Sequence, residues 1–295
     1  MDAMQVQRWI TIAVLTLVCW APASWAADVM VFGHRPHPSI QAFAKQLQQQ
    51  SQHTVSMTTQ VSELSKADLV VAVGAQSLAA VAGAIDSPLV AVFVSREQYL
   101  AHAQQVKSAV FIEPSLLKQL RLARALVGPE KRLGVLLNNQ QQWTDLTSMA
   151  LPEDGELAGI GSVSIQQLDN FDSLNHALVA LLKDSEALVG VYDTELYSAA
   201  NIKNILITAY RQNVPLIGPS NAYIKAGALA TLHSDLNHVA QRTVEVIDAG
   251  LSGQWPAADY NPYFDVRYND QVARSLNMVL PEAADIIPTL QEAPQ

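Results

Sequence analysis

The sequence predicts an α/β protein whose chain forms two lobes, each built around a doubly wound parallel sheet. Three observations lead to this prediction. Short apolar runs alternate with helix-like segments, several of the runs are continuous and β-branched, and two stretches of the chain repeat the same order of elements. Strands that are buried on both faces have continuous apolar sequences, and strand–helix alternation is typical of βαβ units.

The first segment of the chain has the features of an export signal. Arg8 precedes the apolar run Trp9–Trp20, and Ala21–Ala26 supplies the small residues that a signal peptidase recognises. We therefore expect a signal peptide over residues 1–26, cleavage after Ala26 and a periplasmic protein. A membrane anchor is the alternative, but the run is shorter than the ~20 residues of a spanning helix. The single cysteine, Cys19, would leave with the signal, so no disulfide is expected.

The strands are predicted from apolar runs that are bounded by turn residues. In chain order they are Val29–Gly33, Val55–Thr59, Asp68–Gly74, Pro88–Val94, Ala109–Ile112, Arg132–Asn138, Val163–Leu168, Ala187–Tyr192, Pro215–Gly218, Ala228–Leu232 and Tyr263–Tyr268.

Helices are predicted between these strands from apolar stripes and terminal signals. The segment Ser39–Gln49 has apolar residues at helical spacing, and Ser115–Leu126 is closed by Gly128 and a following proline. Tyr197–Gln212 and Leu236–Ala249 complete the clear cases.

Two stretches of the chain share one order of elements. Asp68–Ser77 leads into a helix and then Ser87–Val90, while Glu186–Thr194 leads into a longer helix and then Val214–Ile217. Both are a strand, a polar turn, a helix and a strand that starts with proline and leucine. This similarity indicates two similar lobes that face each other, although any βαβ protein can repeat such an order by chance.

The chain is expected to cross between the lobes near Ile112–Pro114 and again near Leu232–Asp235. We accordingly assign residues 27–113 together with 236–258 to the first lobe. Residues 114–235 together with 259–295 form the second lobe.

Charge and motifs exclude several classes of function. The formal net charge is −9, and no basic patch that would bind nucleic acid is present. The chain has no nucleophile elbow, no Walker A sequence and no complete dinucleotide fingerprint, since Gly159–Gly161 lacks the remaining glycine. We therefore predict neither catalytic residues nor a cofactor, and a secreted enzyme on an α/β scaffold stays the less favoured alternative.

Polar turns follow the predicted strands, which is where open parallel sheets bind ligands. Hydroxyl and amide groups in these turns either cap the next helix or help its free N–H groups to hold an anion. Asp193 and Asp235 can instead pair with an ammonium group. For Asp235 the equal alternative is to cap the helix that starts at Leu236.

A metal site is not predicted. His34 and His37 lie three residues apart near His53, and His233 lies close to Asp235. Metal sites need three or four ligands at definite spacing, and a proline interrupts the first pair, so these histidines are expected to line turns.

Several segments of this sequence resemble the substrate-binding proteins of ABC transporters. The likeness is to the branch with a type I periplasmic-binding fold that includes tryptophan-binding and other amino-acid-binding members. Four stretches carry it: His37–Ile40; Leu116–Leu120 followed by Lys131–Asn138; Val214–Gly218; and Lys225–Leu232, which continues through Gln241–Thr243 to Gly253. This resemblance covers nearly all of the chain after residue 26 and is best from Leu116 onward.

The resemblance implies two lobes joined by a three-strand hinge, with a small polar or zwitterionic, amino-acid-like ligand bound between them. It also implies a monomer that delivers this ligand to an ABC permease of the inner membrane, or alternatively a sensing module that reports to a membrane receptor or kinase. By position, the ligand-binding residues implied are His37, Gln76, Ser77, Ser95, Asp193, Thr194, Ser220, Asn221 and Asp235. The chain departs from the family pattern between His53 and Ala67, and at Ser95–Glu97, where many members carry a Thr-Asp-Pro turn.

Overall fold

The computed structural model describes residues 26–144 and 161–291. The predicted signal peptide and the Gly159–Gly161 segment lie outside this part of the chain, apart from Ala26 and Gly161 themselves. No helix within the two described ranges is both long enough and apolar enough to cross a bilayer.

The first lobe is built on a six-stranded sheet with the strand order β2-β1-β3-β4-β5-β11. All neighbouring strands in it are parallel. The strands are β1 (Asp28–Phe32), β2 (Thr54–Thr58), β3 (Leu69–Val73), β4 (Leu89–Val94), β5 (Ser108–Phe111) and β11 (Asp259–Tyr260).

The second lobe repeats this arrangement with the strand order β7-β6-β8-β9-β10-β12. Its strands pair in parallel except β12, which runs antiparallel to β10. The strands are β6 (Leu133–Leu137), β7 (Val163–Gln167), β8 (Ala187–Val189), β9 (Leu216–Gly218), β10 (Ala230–His233) and β12 (Asp265–Tyr268).

Helices connect the strands and cover both sheets. They are α1 (Pro38–Gln50), α2 (Ala75–Val81), α3 (Arg96–Leu100), α4 (Leu116–Val127), α5 (Leu174–Leu182), α6 (Ile202–Tyr210), α7 (Ala222–Ala226), α8 (Leu236–Leu251), α9 (Asp270–Ser275) and α10 (Ala283–Gln291). Residues 140–144 are also helical, and short 3₁₀ turns lie at Val61–Lys66 and Leu168–Asn170.

The first sheet has a hydrophobic core on each face. Phe43 and Leu47 of α1 and Val239 and Ile247 of α8 pack on one face. Leu78 of α2 belongs to the cluster on the other face. Burial of apolar side chains at roughly 25 cal/mol per Å² supplies the main stabilisation of such a sandwich. The helix α8 therefore belongs to the first lobe, although it follows five strands of the second.

The chain crosses between the lobes three times. It leaves the first sheet after Phe111, returns after His233 to place α8 and β11, and leaves again after Tyr260. Since β11 pairs with β5, the third crossing lies at 261–264 and not after residue 258, where the sequence placed it. β11 is only two residues long, so it gives no periodic signal of its own.

The predicted fold class, two parallel-dominated sheets in an α/β architecture, is confirmed. Each predicted strand has an observed counterpart that starts or ends within three residues of it, as when Ala187–Tyr192 is observed as Ala187–Val189. The helix predicted from Tyr197 begins only at Ile202, because Asp193–Ser198 forms turns stabilised by side-chain hydrogen bonds.

Candidate functional site

A cavity of ≈ 330 Å³ lies between the two lobes. Residues after β4 and β5 line it from the first lobe, and residues after β6 and β8 line it from the second. These positions are the carboxyl ends of parallel strands, where the turns and helix N-termini of open sheets converge. The lining residues are Ser95, Arg96, Glu97, Leu100, Glu113, Asn138, Asn139, Gln141, Gln142, Tyr192, Asp193, Thr194 and Glu195.

Ser95 reaches the cavity at the start of α3, where it caps the helix. Its hydroxyl accepts a hydrogen bond from the Gln98 nitrogen at 3.2 Å, and the Gln98 side chain accepts one from the Ser95 nitrogen at 2.9 Å. This reciprocal capping box fixes the turn after β4. Ser95 is buried, and its hydroxyl is engaged in the helix cap.

Glu113 lies at the first crossing, two residues after β5, and only 9% of it is exposed. Its Oε1 accepts a hydrogen bond from the Arg96 main-chain nitrogen at 2.7 Å, whereas its buried Oε2 has no hydrogen-bond partner. Burial raises the pKa of the Glu113 carboxyl to about 7, although the Arg96 main-chain hydrogen bond and guanidinium charge lower it. Removing a carboxylate from water disfavours its charged form, which explains the direction of this shift.

Asp193 organises the loop after β8. Its Oδ1 accepts hydrogen bonds from the nitrogens of Glu195 at 2.8 Å and Leu196 at 2.7 Å, and its Oδ2 accepts one from Gln142 Nε2 at 3.0 Å. Gln142 also holds the turn after β6, since its Oε1 accepts from the Asn138 nitrogen at 2.8 Å. One carboxylate therefore connects two cavity-lining loops, and little of its acceptor capacity remains for a ligand.

Tyr192 and Leu100 provide the apolar part of the cavity wall, one from each lobe. Tyr192 is half-buried, and burial together with the nearby Glu113 charge raises the pKa of its hydroxyl. Tyr192 therefore stays neutral at physiological pH and offers an aromatic ring and a hydroxyl to the cavity.

Three of the predicted contacts lie after β1 and β3 and do not line this cavity. His37 caps α1 through its Nδ1, which accepts from the Ser39 nitrogen at 3.2 Å. Ser77 is buried, and its Oγ accepts from the His34 nitrogen at 2.9 Å, so it ties the two loops together. Gln76 is exposed at the first turn of α2, next to Gly74, whose φ of +82° permits the sharp turn out of β3.

Ser220 and Asn221 follow β9 and also lie outside the lining of the cavity. Their loop is held close to the sheet at Gly218, where an added Cβ would lie 2.7 Å from Cβ of Tyr223. The Tyr223 hydroxyl in turn donates to the main-chain oxygen of Tyr197 at 2.7 Å. Any side chain larger than hydrogen at position 218 would push this loop outward.

Asp235 acts as the N-cap of α8, with Oδ1 accepting from the His238 nitrogen at 2.9 Å. It lies at the second crossing and does not line the cavity. Of the two roles considered for it, the structure supports the cap.

Within the described residues, a single group of ionisable side chains lies close enough together to hold a metal ion. It consists of Asp235, His238 and Asp265, whose ligand atoms lie within 4.8 Å of one another. This group lies at the hinge, and Asp235 already serves as a cap. Of the histidines considered from the sequence, none belongs to this group: His233 pairs with Asp265 across β10 and β12, and His53 Nε2 lies 2.9 Å from Oδ1 of Asp248.

The structure thus brings three of the predicted residues together in the cavity: Ser95, Asp193 and Thr194. Arg96 belongs to the Ser95–Glu97 turn, and Asn138 and Tyr192 end two of the predicted strands, but none of the three was predicted as a ligand contact. Glu113 was missed altogether. A carboxylate that directly follows a buried strand, just before a proline at a predicted crossing, is the signal that would have identified it.

Structural comparison relates this arrangement to solved proteins. One is the ligand-free, open form of a substrate-binding protein with adhesive properties from Clostridium difficile, with a TM-score of 0.64 and 19% identity over 87% of this chain and 97% of that one. Another is an ABC domain from Streptococcus pneumoniae in complex with L-Trp, with a TM-score of 0.50 and 16% identity over 87% and 96%.

A third similar structure is a chain of a mutant XylFII–LytSN complex, with a TM-score of 0.52 and 12% identity over 84% of this chain and 99% of that one. Neither a protein-family model nor a curated protein matches the chain. At identities this low, structural similarity establishes a shared fold and no more. The resemblance noted in the sequence is confirmed at the level of the fold.

Proposed function

We propose that this chain, which has the two-lobed fold of ABC-transporter substrate-binding proteins, captures a small polar ligand between its lobes in the periplasm. The observation that carries this proposal is the cavity of ≈ 330 Å³ lined by polar side chains from both lobes. A volume in this range suits a small metabolite. Loops that follow strands in two different sheets supply the contacts, so a ligand held there touches both lobes.

Binding then favours the closed form of the protein. The three crossings at 112–115, 234–235 and 261–264 form the hinge, and each is short and free of helix or strand. A ligand that contacts both lobes only when they are closed binds that state more tightly and shifts the population towards it. Micromolar affinity requires about −8 kcal/mol, which a few charge-assisted hydrogen bonds and an apolar wall can supply.

The ligand class that we propose is an amino-acid-like molecule, and delivery is to an ABC permease of the inner membrane. The L-Trp complex among the similar structures supports an amino-acid-like ligand. Export by cleavage after Ala26, a monomeric state, and binding without chemical turnover belong to the same proposal.

A second candidate is a sensing module that presents its closed form to a membrane receptor or kinase. The likeness to a chain from the XylFII–LytSN complex favours it, because that protein forms a complex with a second protein. Deleting the gene separates the two roles. Transport predicts loss of uptake of the labelled ligand, whereas sensing predicts normal uptake and loss of a transcriptional response to the ligand.

The main experiment combines thermal-shift measurement with small-angle X-ray scattering on the purified protein. A panel of amino acids, amines, carboxylates and sugars is added at millimolar concentration. We expect at least one compound to raise the melting temperature and to reduce the radius of gyration. Proton NMR of that compound should remain unchanged after incubation, whereas new resonances would support the enzyme alternative. If no compound of the panel changes the melting temperature or the radius of gyration, the proposed function is contradicted.

A further inference from the structure

The cavity has a marked excess of acidic groups. Among the described residues that line it, four carry carboxylates, and Arg96 is the one that carries a permanent positive charge. The four are Glu97, Glu113, Asp193 and Glu195. Carboxylates in a partly enclosed cavity repel anionic ligands and attract cations, because solvent screens them less than at an open surface.

Within this group, Glu113 differs from the others in burial and in its hydrogen bonds. Its Oε2 is buried without a hydrogen-bond partner, while its Oε1 is engaged by the Arg96 nitrogen. Asp193, by contrast, already accepts three hydrogen bonds within its own lobe. A buried carboxylate oxygen that lacks a donor costs free energy, and a donor that arrives with a ligand removes that cost.

We infer that Glu113 is the specificity-determining residue of this cavity and that it selects ligands carrying a protonated amine. The inference rests on the proposed function and defines its ligand class further. The Glu113 carboxylate pairs with the ammonium group of the ligand through Oε2 and keeps its hydrogen bond to Arg96 through Oε1. Molecules that present only a carboxylate, or only hydroxyl groups, are excluded.

The physical reason for selecting a cation is the charge of a buried carboxylate. An ammonium group supplies both a hydrogen bond and an opposite charge, and charge-assisted bonds of this kind are about twice as strong as neutral ones. A hydroxyl group supplies the hydrogen bond but adds no opposite charge. The Tyr192 ring and Leu100 line the same cavity and can contact the apolar part of an amine.

The hinge makes Glu113 well placed for this task. Glu113 also lines a small enclosed cavity of ≈ 10 Å³ at the hinge, together with Ser234 of the second crossing and Asn261 of the third. A ligand that pairs with Glu113 therefore acts where all three crossings meet. Recognition of the amine and closure of the lobes would then be linked through one side chain.

The test uses compounds that differ only in their charged groups. One set comprises phenylalanine, phenethylamine and hydrocinnamate, a second comprises leucine, isoamylamine and isocaproate, and glucose represents neutral polyols. Binding is measured by calorimetry and thermal shift. We expect the amino acid, the amine or both in at least one set to bind, while the corresponding deaminated acid and glucose do not.

Glu113→Gln should weaken the binding of the amine-bearing compound at least tenfold at pH 8. Glu130→Gln is the matched control, because it removes the same charge from an exposed position ahead of β6, at the opposite end of the second sheet. It should leave the affinity within twofold of the unmodified protein.

The unmodified protein gives a second test that does not depend on folding of a variant. Affinity for the amine should rise from pH 6 to pH 8, as the Glu113 carboxyl ionises around its pKa of about 7. The charged and titratable groups around it are Arg96, Glu97 and Tyr192, which line the same cavity, Tyr260, which does not, and Lys118 and His233 at the hinge cavity. Burial, together with the nearby Arg267 charge, lowers the pKa of His233 from its ordinary value.

The possible outcomes separate the inference from the proposed function. If a compound without an amine binds and closes the lobes, or if Glu113→Gln binds amines as tightly as the unmodified protein, the inference is wrong and the solute-binding function stands. If Glu113→Gln binds amines as tightly as the unmodified protein, Oε2 of Glu113 faces the hinge cavity and does not contact the ligand. If no compound alters melting or scattering, both are wrong.

Discussion

The carboxylate of Glu113 accepts a hydrogen bond from the main-chain nitrogen of Arg96 at 2.7 Å. Arg96 is the first residue of α3, and its nitrogen is one of the N–H groups that a helix N-terminus leaves without an internal partner. The bond therefore joins the segment after β5 to the turn after β4, and both of its residues line the cavity. It also holds a carboxylate in a buried position, which gives the protein a specific dependence on pH.

Glu113→Gln should stabilise the free protein at pH 8 and have little effect at pH 4.5. The pKa of Glu113 is about 7 in the folded protein against 4.5 for an ordinary glutamate. Between these values the folded state retains a proton that the unfolded chain has lost, so the contribution of Glu113 to stability falls as the pH rises. The loss is on the order of 3 kcal/mol and is complete above pH 7. Glutamine keeps the acceptor for the Arg96 nitrogen and carries no charge.

The measurement is chemical denaturation of the two proteins over a series of pH values. The variant should show a flatter profile than the unmodified protein between pH 4.5 and 8. Glu130→Gln should follow the unmodified profile. If Glu113→Gln is less stable than the unmodified protein at pH 8, the ionised carboxylate contributes to stability, and the raised pKa is refuted.

Asp193→Ala should destabilise the second lobe by about 1–2 kcal/mol, because three hydrogen bonds from two loops are lost at a half-buried position. A decrease of a few degrees in melting temperature is the expected readout. Asp172→Ala is the control, since Asp172 is almost fully exposed and lies 4.0 Å from its nearest ion-pair partner, His176. Equal melting temperatures for the two variants would assign Asp193 to ligand contact alone.

Thr231→Val tests how the loop after β9 is positioned. Thr231 is fully buried in β10, and its hydroxyl donates to the main-chain oxygen of Gly218 at 2.8 Å. Valine has nearly the same shape but no donor, so the buried oxygen loses this bond at a cost of about 1–2 kcal/mol. Thermal denaturation should show the loss, whereas Thr54→Val, at an exposed position of the edge strand β2, should not.

Export can be checked at the N-terminus of the chain. Protein recovered from the periplasm should begin at Ala27, immediately before β1 starts at Asp28. N-terminal sequencing or intact-mass measurement decides the point. A mass that includes residues 1–26 would favour the anchor alternative.

Much of the fold follows from local patterns in the sequence. Continuous apolar runs such as Leu69–Val73 predict buried parallel strands wherever they occur, because both faces of such a strand must be covered. The repeated strand, turn and helix order predicts two similar sheets in the same way. The exception is β11, whose two residues form a strand only because β5 lies beside them.

The site could be predicted only in part. Position at the ends of strands, together with the family resemblance, identified Ser95, Asp193 and Thr194, since the topology of an open parallel sheet determines where such ends lie. The same reasoning selected Ser77 and Asp235, which the structure engages in bonds between loops and in helix capping. A hydroxyl or carboxylate in a turn has the same sequence signature in either role, so the sequence does not separate them.

The sequence by itself determined the fold class, the order of the strands along the chain and the edge of each sheet at which a ligand would bind. These properties depend on periodicity and composition, which are local. Only the tertiary structure decided that Glu113 is buried with one unpaired oxygen, that Asp193 accepts hydrogen bonds from two loops, and that the third crossing follows Tyr260. Each of these depends on neighbours that are distant in the chain, and burial or pairing by such neighbours leaves no pattern in the residues themselves.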